Sequence, residues 1–447
     1  MQRVIRQGLW ASRVVVAALT GFIFRYIRRL FRQPPRIWRG MNGLHLVKWP
    51  VMVDRHAGFA SRSFISSTQP SAYALFLNED FDVVCDQQGW SKDDWHWRGL
   101  IDLLLRADIR VAFFESVFFS AGSWRANACT LVLLRVVGIR TIMVPHGMDL
   151  IYRDARVTRY DWVARAQSDY PGWDLRAYRP FAMRRTRMWC QYADLVVSAD
   201  STCSRFLPRR DVSFKWFPVD CDALQPVQGN SDGPPIVVHA PQHRAIKGTD
   251  FLLAASERLA ARGVAMDLRL MEKVPRDQAL LRYAEADIIA DQFCMGAYGM
   301  FALEGLALGK TVLAYLDQEH LADPVFNLPI VNANPDNLER VLAVLLQIPE
   351  LRLRLGRAGR EAVQRYQSIE AMAEVWTQLY HHVWWNEPLQ LEKTRHFSPE
   401  RQPRSFTEDP GCRDFWPVPV EDLLPEILAA LARVGVTAND GQRVTSS

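Results

Sequence analysis

Two stretches of this chain place charged side chains beside backbone that should turn rather than run straight. In HAPQHRAIKGTDFLLAA, His239 to Ala255, Arg244 and Lys247 fall in a loop between a strand and a helix, so both cations can reach one anion. A diphosphate needs such charges, and a solvated basic loop has the same spacing. In DQFCMGAYGMFALEGLALGKTV, Asp291 to Val312, a strand ends and Gly296 and Gly299 loosen the chain. Apolar helical spacing then runs from Phe301 to Leu308 until Gly309 stops it. Free amides near Gly299 and Met300, at the start of that helix, aim at an anion. Glu304 stands roughly one turn in, where its carboxylate would be repelled by a phosphate but suits the vicinal hydroxyls of a ribose. A core helix with this glutamate turned to solvent fits the local pattern equally well. His239 and His243 are four apart, but one ends a strand and the other lies in a loop, so they lack helical ligand geometry and no metal is expected.

Strands joined by crossover helices would hold these groups in place. From Leu44 to about Asp222, apolar runs alternate with helical or loop segments: Leu44 to Val53, Tyr73 to Leu77, Val111 to Phe119, Thr141 to Val144, Leu195 to Ser198 and Phe214 to Pro218. This alternation predicts a parallel α/β sheet. ALQPVQGNSDGPP, Ala223 to Pro235, has linker composition. A second α/β unit follows, with strands Ile236 to His239, Met266 to Met271, Asp287 to Asp291 and Thr311 to Leu316. Between them the pattern predicts helices Asp250 to Arg262 and Arg276 to Ala286. Helical patterning from Pro349 through Trp385 is followed by a charged, proline-containing stretch and an amphipathic helix over Val420 to Val434.

The Asp291 to Val312 segment resembles the nucleotide-sugar signature of retaining family 4 (group 1) glycosyltransferases, in which two glutamates stand eight apart before a glycine-lysine or glycine-proline pair. Glu304, Gly309 and Lys310 match, and Gly296 holds the earlier glutamate's place. Lys247 with Gly248 resembles the family's diphosphate loop. VPHGMD, Val144 to Asp149, puts His146 where the family often has a histidine touching the donor sugar, and DRHAGFAS, Asp54 to Ser61, with Gly58, resembles its flexible first loop. The resemblance implies a GT-B fold: two Rossmann-like domains facing across a cleft. It also implies transfer of a sugar from a nucleotide-diphosphate donor to a glycan or glycolipid acceptor hydroxyl with retention of configuration. His146, Lys247 and Arg244 would be catalytic; Gly58, Lys247, Arg244, Gly299, Met300 and Glu304 would bind the nucleotide-sugar. No cofactor is implied. The Asp-x-Asp pairs Asp80/Asp82 and Asp220/Asp222 lie outside the signature, and so short a pattern arises by chance. A catalytically silent nucleotide-sugar or partner-binding protein and a nucleotide-sugar epimerase of the same fold remain as alternatives. The expected organisation is a membrane-surface helix (1–38), an acceptor-side Rossmann-like domain (39–222), a linker (223–235), a nucleotide-sugar domain with closing helices (236–385) and a tail (386–447).

The 447 residues, 49% hydrophobic and 11% aromatic, are ample for two buried cores. Seven scattered cysteines without a C-x-x-C pair indicate neither a disulfide framework nor a zinc site, which fits a reducing cytoplasm. The net charge of +5 conceals an asymmetry: residues 1–40 hold nine arginines and no acid, leaving 5 − 9 = −4 for the remainder. Without a basic stripe interleaved with aromatics, nucleic acid is not an expected partner of the body. Ile5, Leu9, Val16, Leu19, Ile23, Ile27 and Leu30 share one side of a helical projection. Arg3, Arg6, Arg13, Arg25, Arg28, Arg29 and Arg32 gather on the other. The charge-free stretch Val14 to Phe24 is about half the roughly 20 residues a span requires, so the helix is expected to lie on the cytoplasmic face of a membrane, where cell-envelope polysaccharide or glycolipid synthesis would take place.

Overall fold

The computed structural model describes residues 2–41, 45–65, 81–85, 88–112, 124–144, 162–169, 175–199, 207–227, 233–401, 415–418, 423–433 and 435. These form two compact units. The first comprises 1–153, 176–218 and 369–396; the second comprises 154–175, 219–368 and 397–447.

In the first unit, α1 (Gln2–Leu30) precedes β1 (Ile37–Met41), α2 (His45–His56), β2 (Ser61–Ile65), β3 (Val83–Val84), α3 (Lys92–Arg106), β4 (Ile109–Ala112), α4 (Trp124–Val136) and β5 (Arg140–Met143). After α5 (Trp162–Asp169), which belongs to the second unit, come α6 (Leu175–Tyr192), β6 (Leu195–Ser198) and β7 (Val212–Ser213). The strands pair in parallel in the order β3-β2-β1-β4-β5-β6-β7, with Ile37 opposite both Ser61 and Ile109. Every residue of β4 is buried, as expected where helices cover both faces of a parallel sheet.

The run Leu44 to Val53, expected as the first strand, is largely helix α2. A short apolar run does not reveal its period, and here Trp49 and Val53 are buried four residues apart on one helical face. The first strand is instead Ile37–Met41, which the basic N-terminal pattern concealed. The expected strand Tyr73 to Leu77 lies outside the described residues.

The second unit is built on β8 (Ile236–His239), α7 (Arg244–Lys247), α8 (Thr249–Ala261), β9 (Asp267–Leu270), α9 (Arg276–Glu285), β10 (Ile288–Ala290), α10 (Met300–Ala307), β11 (Thr311–Ala314), α11 (Gln318–Ala322), β12 (Val331–Asn332), α12 (Leu338–Gln347) and α13 (Pro349–Tyr366). Its parallel sheet has the order β12-β11-β10-β8-β9. Helix α14 (Ile369–Trp385) returns to the first unit. Finally α15 (Leu424–Arg433) inserts Ile427, Ala430 and Leu431 into the second unit's core, which gives the tail's amphipathic helix a packing role.

Helix α1 is amphipathic in the sense opposite to a free helix in water. Ala17, Ala18 and Gly21 let it close on α3. Arg25 is buried against the first unit and donates to the carbonyls of Leu104 (2.7 Å), Ala107 (3.0 Å) and Val137 (2.8 Å), the open C-terminal ends of α3 and α4. Burial lowers the pKa of Arg25 to about 10. Arg28 pairs with buried Asp108 at 3.0 Å, and Arg29 lies 4.1 Å from the Trp384 ring centroid. Part of the arginine face therefore faces protein, while Leu9, Val16, Leu19, Ile23, Ile27 and Leu30 are exposed.

Candidate functional site

Strand β8 delivers the first site loop. His239, its last residue, is fully buried; its Nδ1 lies 2.6 Å from the Ala290 carbonyl, and Nε2 lies 2.9 Å from Thr249 Oγ1. A carbonyl only accepts, so Nδ1 carries the proton and Nε2 accepts from the threonine hydroxyl. Burial brings the pKa of His239 down to about 4, so the ring is a neutral strut between β8, β10 and α8.

Arg244 and Lys247 do not sit in an open loop, as their spacing suggested, but at the two ends of the short helix α7. Its N-terminal amides are capped from a distance: Asp169 on α5 accepts from the Ala245 amide at 3.2 Å and the Ile246 amide at 2.7 Å. Arg165 adds a 3.0 Å ion pair to Asp250. Gly248 closes the helix at φ +74°, and a Cβ there would meet Cys294 Sγ at 2.9 Å, so only glycine allows the loop this close to the segment after β10.

The two cations have different partners. Arg244 is exposed and forms a fork with Glu272 at 2.8 and 2.6 Å, which raises its pKa. Lys247 Nζ lies 2.5 Å from Asp291 Oδ1, and Asp291 is itself buried. The Gly299 amide, expected to serve a ligand, instead donates to Asp291 Oδ2 at 3.0 Å. A further bond from the Phe293 amide to the Lys247 carbonyl, 3.0 Å, seals the two loops together. Asp291 is thus the organising group of the site. Its signal in the sequence was an acid ending an apolar strand.

Gly299 is the N-cap of α10, Met300 its first residue and Glu304 its fifth. Glu304 does not face solvent: it is 6% exposed, and its Oε1 accepts from Arg276 at 2.8 and 3.1 Å. Arg276 opens α9, 28 residues away in sequence, and nothing local marked it. Gly296 has φ +77°, and a Cβ there would stand 3.0 Å from the Asp317 Cβ. A glutamate at this place would carry both the left-handed strain and that crowding. Gly309 and Lys310 hold backbone rather than ligand. Lys310 Nζ donates to the Val227 carbonyl at 2.6 Å, and burial lowers its pKa to about 8.

One expected site residue lies elsewhere. Gly58 sits in the turn leading from α2 into β2, at the amino edge of the first sheet, whereas ligands bind beyond the carboxyl edge of such sheets. That placement removes it from a donor-binding loop. His146 lies outside the described residues, as does Asp80. Asp82 is taken by Arg55 and Ser63, and Asp220 caps the Ala223 amide at 2.9 Å.

No family model and no curated protein matches the sequence. Among solved structures, sucrose-phosphate synthase from Thermosynechococcus elongatus is similar over 79% of this chain and 100% of its own, with a TM-score of 0.53 at 13% identity. The chain has the GT-B fold. HepE from Anabaena, in complex with UDP and glucose, covers 77% of this chain and 98% of its own at 10% identity, with a TM-score of 0.48. Both GT-B sheets here are fully parallel, and the second has its order reversal between β8 and β10. Such a switch point opens a crevice beyond the carboxyl ends of the two strands. Lys247 follows β8 and Asp291 follows β10, so their ion pair lies at the switch point of this sheet.

Proposed function

We propose that the chain is a glycosyltransferase that moves a sugar from a nucleotide-diphosphate donor to the hydroxyl of a glycan or glycolipid acceptor with retention of configuration. The observation that carries this is the Lys247–Asp291–Gly299 cluster at the second sheet's switch point, continued along α10 to Glu304. An ammonium has three donors and Asp291 takes one, leaving two for the departing diphosphate in a fixed position. The start of α10 at Met300 adds its dipole. Arg244 would have to leave Glu272 to join, which assigns it an auxiliary role. Glu304, oriented by Arg276, accepts from the ribose hydroxyls. His146 is the candidate contact to the donor sugar. No base dyad is required, since a donor phosphate oxygen can take the acceptor proton. Gly296 favours a second reading, a catalytically silent nucleotide-sugar binder. Transfer or hydrolysis of radiolabelled donors by purified protein separates the two, and label that remains on the nucleotide as an altered sugar identifies an epimerase.

The ribose role is tested by ligand-induced stabilisation. A nucleotide-sugar at 100 times its Kd should stabilise the wild type by about 2.7 kcal/mol, and in Glu304→Ala most of that gain should vanish while unliganded melting changes less. Equal gains in both proteins across a donor panel would remove Glu304 from the site.

The same proposal places α1 on the cytoplasmic surface of a membrane, in cell-envelope polysaccharide or glycolipid synthesis. Its exposed apolar face supports this. Deleting the helix would also strip Arg25 from its carbonyls, so changing the outer face alone is the cleaner test. Each buried Leu or Ile contributes about 1.5–3 kcal/mol. The triple variant Leu19→Gln, Ile23→Gln, Ile27→Gln should therefore bind anionic vesicles at least about a hundredfold more weakly with its melting unchanged. Undiminished co-flotation would end the surface reading.

A further inference from the structure

Beneath α1 the first unit contains a cavity of about 570 Å³, within the roughly 300–1,000 Å³ range of small-molecule sites. None of its lining residues belongs to the Lys247 cluster, which is part of the second unit. Its floor is apolar: Val16 and Ala17 of α1, Phe64 of β2, Val83 of β3, and Ile101 and Leu105 of α3. Arg13, Arg62, Arg98 and Arg106 also line it, with Asp102 as the one acid among its lining residues.

Those charges do not cancel. Arg62 and Arg106 share the single carboxylate of Asp102, at 2.9 and 3.2 Å. Arg98 lies over the rings of Trp90 and Trp10, 4.5 and 5.6 Å from their centroids, and its Nε is buried without a hydrogen-bond partner among the described residues. Arg13 stands 5.1 Å from the centroid of Trp10. Four cations around one anion leave a net +3 beside an apolar floor. Water alone would satisfy the arginines but not the floor; an apolar ligand would do the reverse.

The cavity is also continuous with the outward face of α1. Val16 is 63% exposed and lines it, and Arg13 lines it three residues earlier. Of the 17 exposed large hydrophobic side chains among the described residues, 11 lie between Leu9 and Phe31. The apolar surface that would meet a bilayer therefore leads into the cationic pocket.

We infer that this cavity seats one anionic glycerophospholipid drawn from the leaflet on which α1 lies, its phosphate at Arg13 and Arg98 and part of an acyl chain over the floor. The source of the lipid rests on the membrane-surface reading of α1; the pocket's preference for an anionic head joined to a chain does not. Guanidinium groups form charge-assisted, directional bonds to phosphate oxygens, and the floor supplies the apolar burial.

The test uses full-length protein and dihexanoyl phosphatidylglycerol below its micellar concentration, with dihexanoyl phosphatidylcholine and sn-glycerol 3-phosphate as comparators, measured by calorimetric titration. Phosphatidylglycerol should bind at least about tenfold more tightly than either, and the double variant Arg13→Gln, Arg98→Gln should lose at least about tenfold. Val16→Trp, at an exposed position whose larger side chain can enter the cavity mouth, should lose as much even if the arginine variant folds poorly. Equal binding of the two lipids, equal binding of glycerol phosphate, or unchanged affinity in Val16→Trp would overturn the inference. The Leu19, Ile23, Ile27 variant keeps the two membrane claims apart. It should retain the soluble lipid while losing vesicles, and loss of the soluble lipid there would place binding on the outer face and also overturn the pocket.

Discussion

Replacing Lys247 with alanine is expected to lower turnover of sugar transfer by about 10²–10³-fold, the usual cost of removing one preorganised donor from the site of developing charge. In the proposed transfer the leaving diphosphate gains charge as the glycosidic bond breaks, and Lys247, anchored to a buried carboxylate and to the backbone of the next loop, would be the cation that meets it. Because the interaction strengthens as the bond breaks, kcat should fall more than KM rises. The substitution also strands Asp291, whose carboxylate would retain the Gly299 amide but lose its counter-charge. Melting must therefore be followed alongside activity. Arg244→Ala serves as the comparison, since that side chain is exposed and already committed to Glu272, and its loss should cost less. A Lys247→Ala protein that folds and keeps more than about a tenth of wild-type turnover would dismiss the assignment.

The second large effect is on stability. Asp54→Ala should destabilise the first unit by about 3–5 kcal/mol, the range for removing one partner from a buried ion pair. Arg39 and Asp54 are 2% and 0% exposed, joined at 2.7 and 3.0 Å. Ser61 Oγ and Tyr380 OH donate to the same carboxylate at 2.6 and 2.5 Å. Burial by itself would lower the Arg39 pKa, but Asp54 and Tyr380 outweigh it and raise the value, so the guanidinium stays charged. Without Asp54 it has no compensating charge. For a unit of this size the calorimetric transition should drop by roughly 6–20 °C. The double variant Arg39→Met, Asp54→Leu should recover part of that loss, because an apolar pair avoids the stranded charge but leaves the Ser61 and Tyr380 hydroxyls without their acceptor. A shift below about 3 °C in Asp54→Ala would show that the cluster contributes little to the unit's stability.

The second unit was largely legible in the sequence. Its strands and helices begin and end within a few residues of where the apolar periods and glycine stops put them, because β8, β10 and β11 are short, mainly apolar runs, whereas β9 alternates charged and apolar residues. The first unit was less so. Ile37–Met41 carries Arg39 in mid-strand, a charge that only a tertiary partner explains, and the more apolar stretch beside it became helix α2. In the site, Lys247 and Glu304 stood out by type and spacing, whereas Arg276 became visible only once α9 had folded beside α10. For α1 the period was correct, but a helical projection separates two faces without saying which one the protein covers. Gly21, which lets the helix approach within reach of the Leu104 carbonyl, decides that.

The five points at which the chain passes between units, near 153, 175, 218, 368 and 396, have a practical consequence. No single cut yields two self-sufficient halves. A fragment ending in the linker after Asp222 would lack Tyr380 and Trp384, and a fragment starting at Ile236 would lack Asp169, which caps the helix carrying Lys247. Each half would expose a surface shaped for a segment encoded on the other side of the cut. The two fragments should therefore be soluble when co-expressed and aggregate when made apart, so this enzyme candidate is one to divide by complementation rather than by truncation.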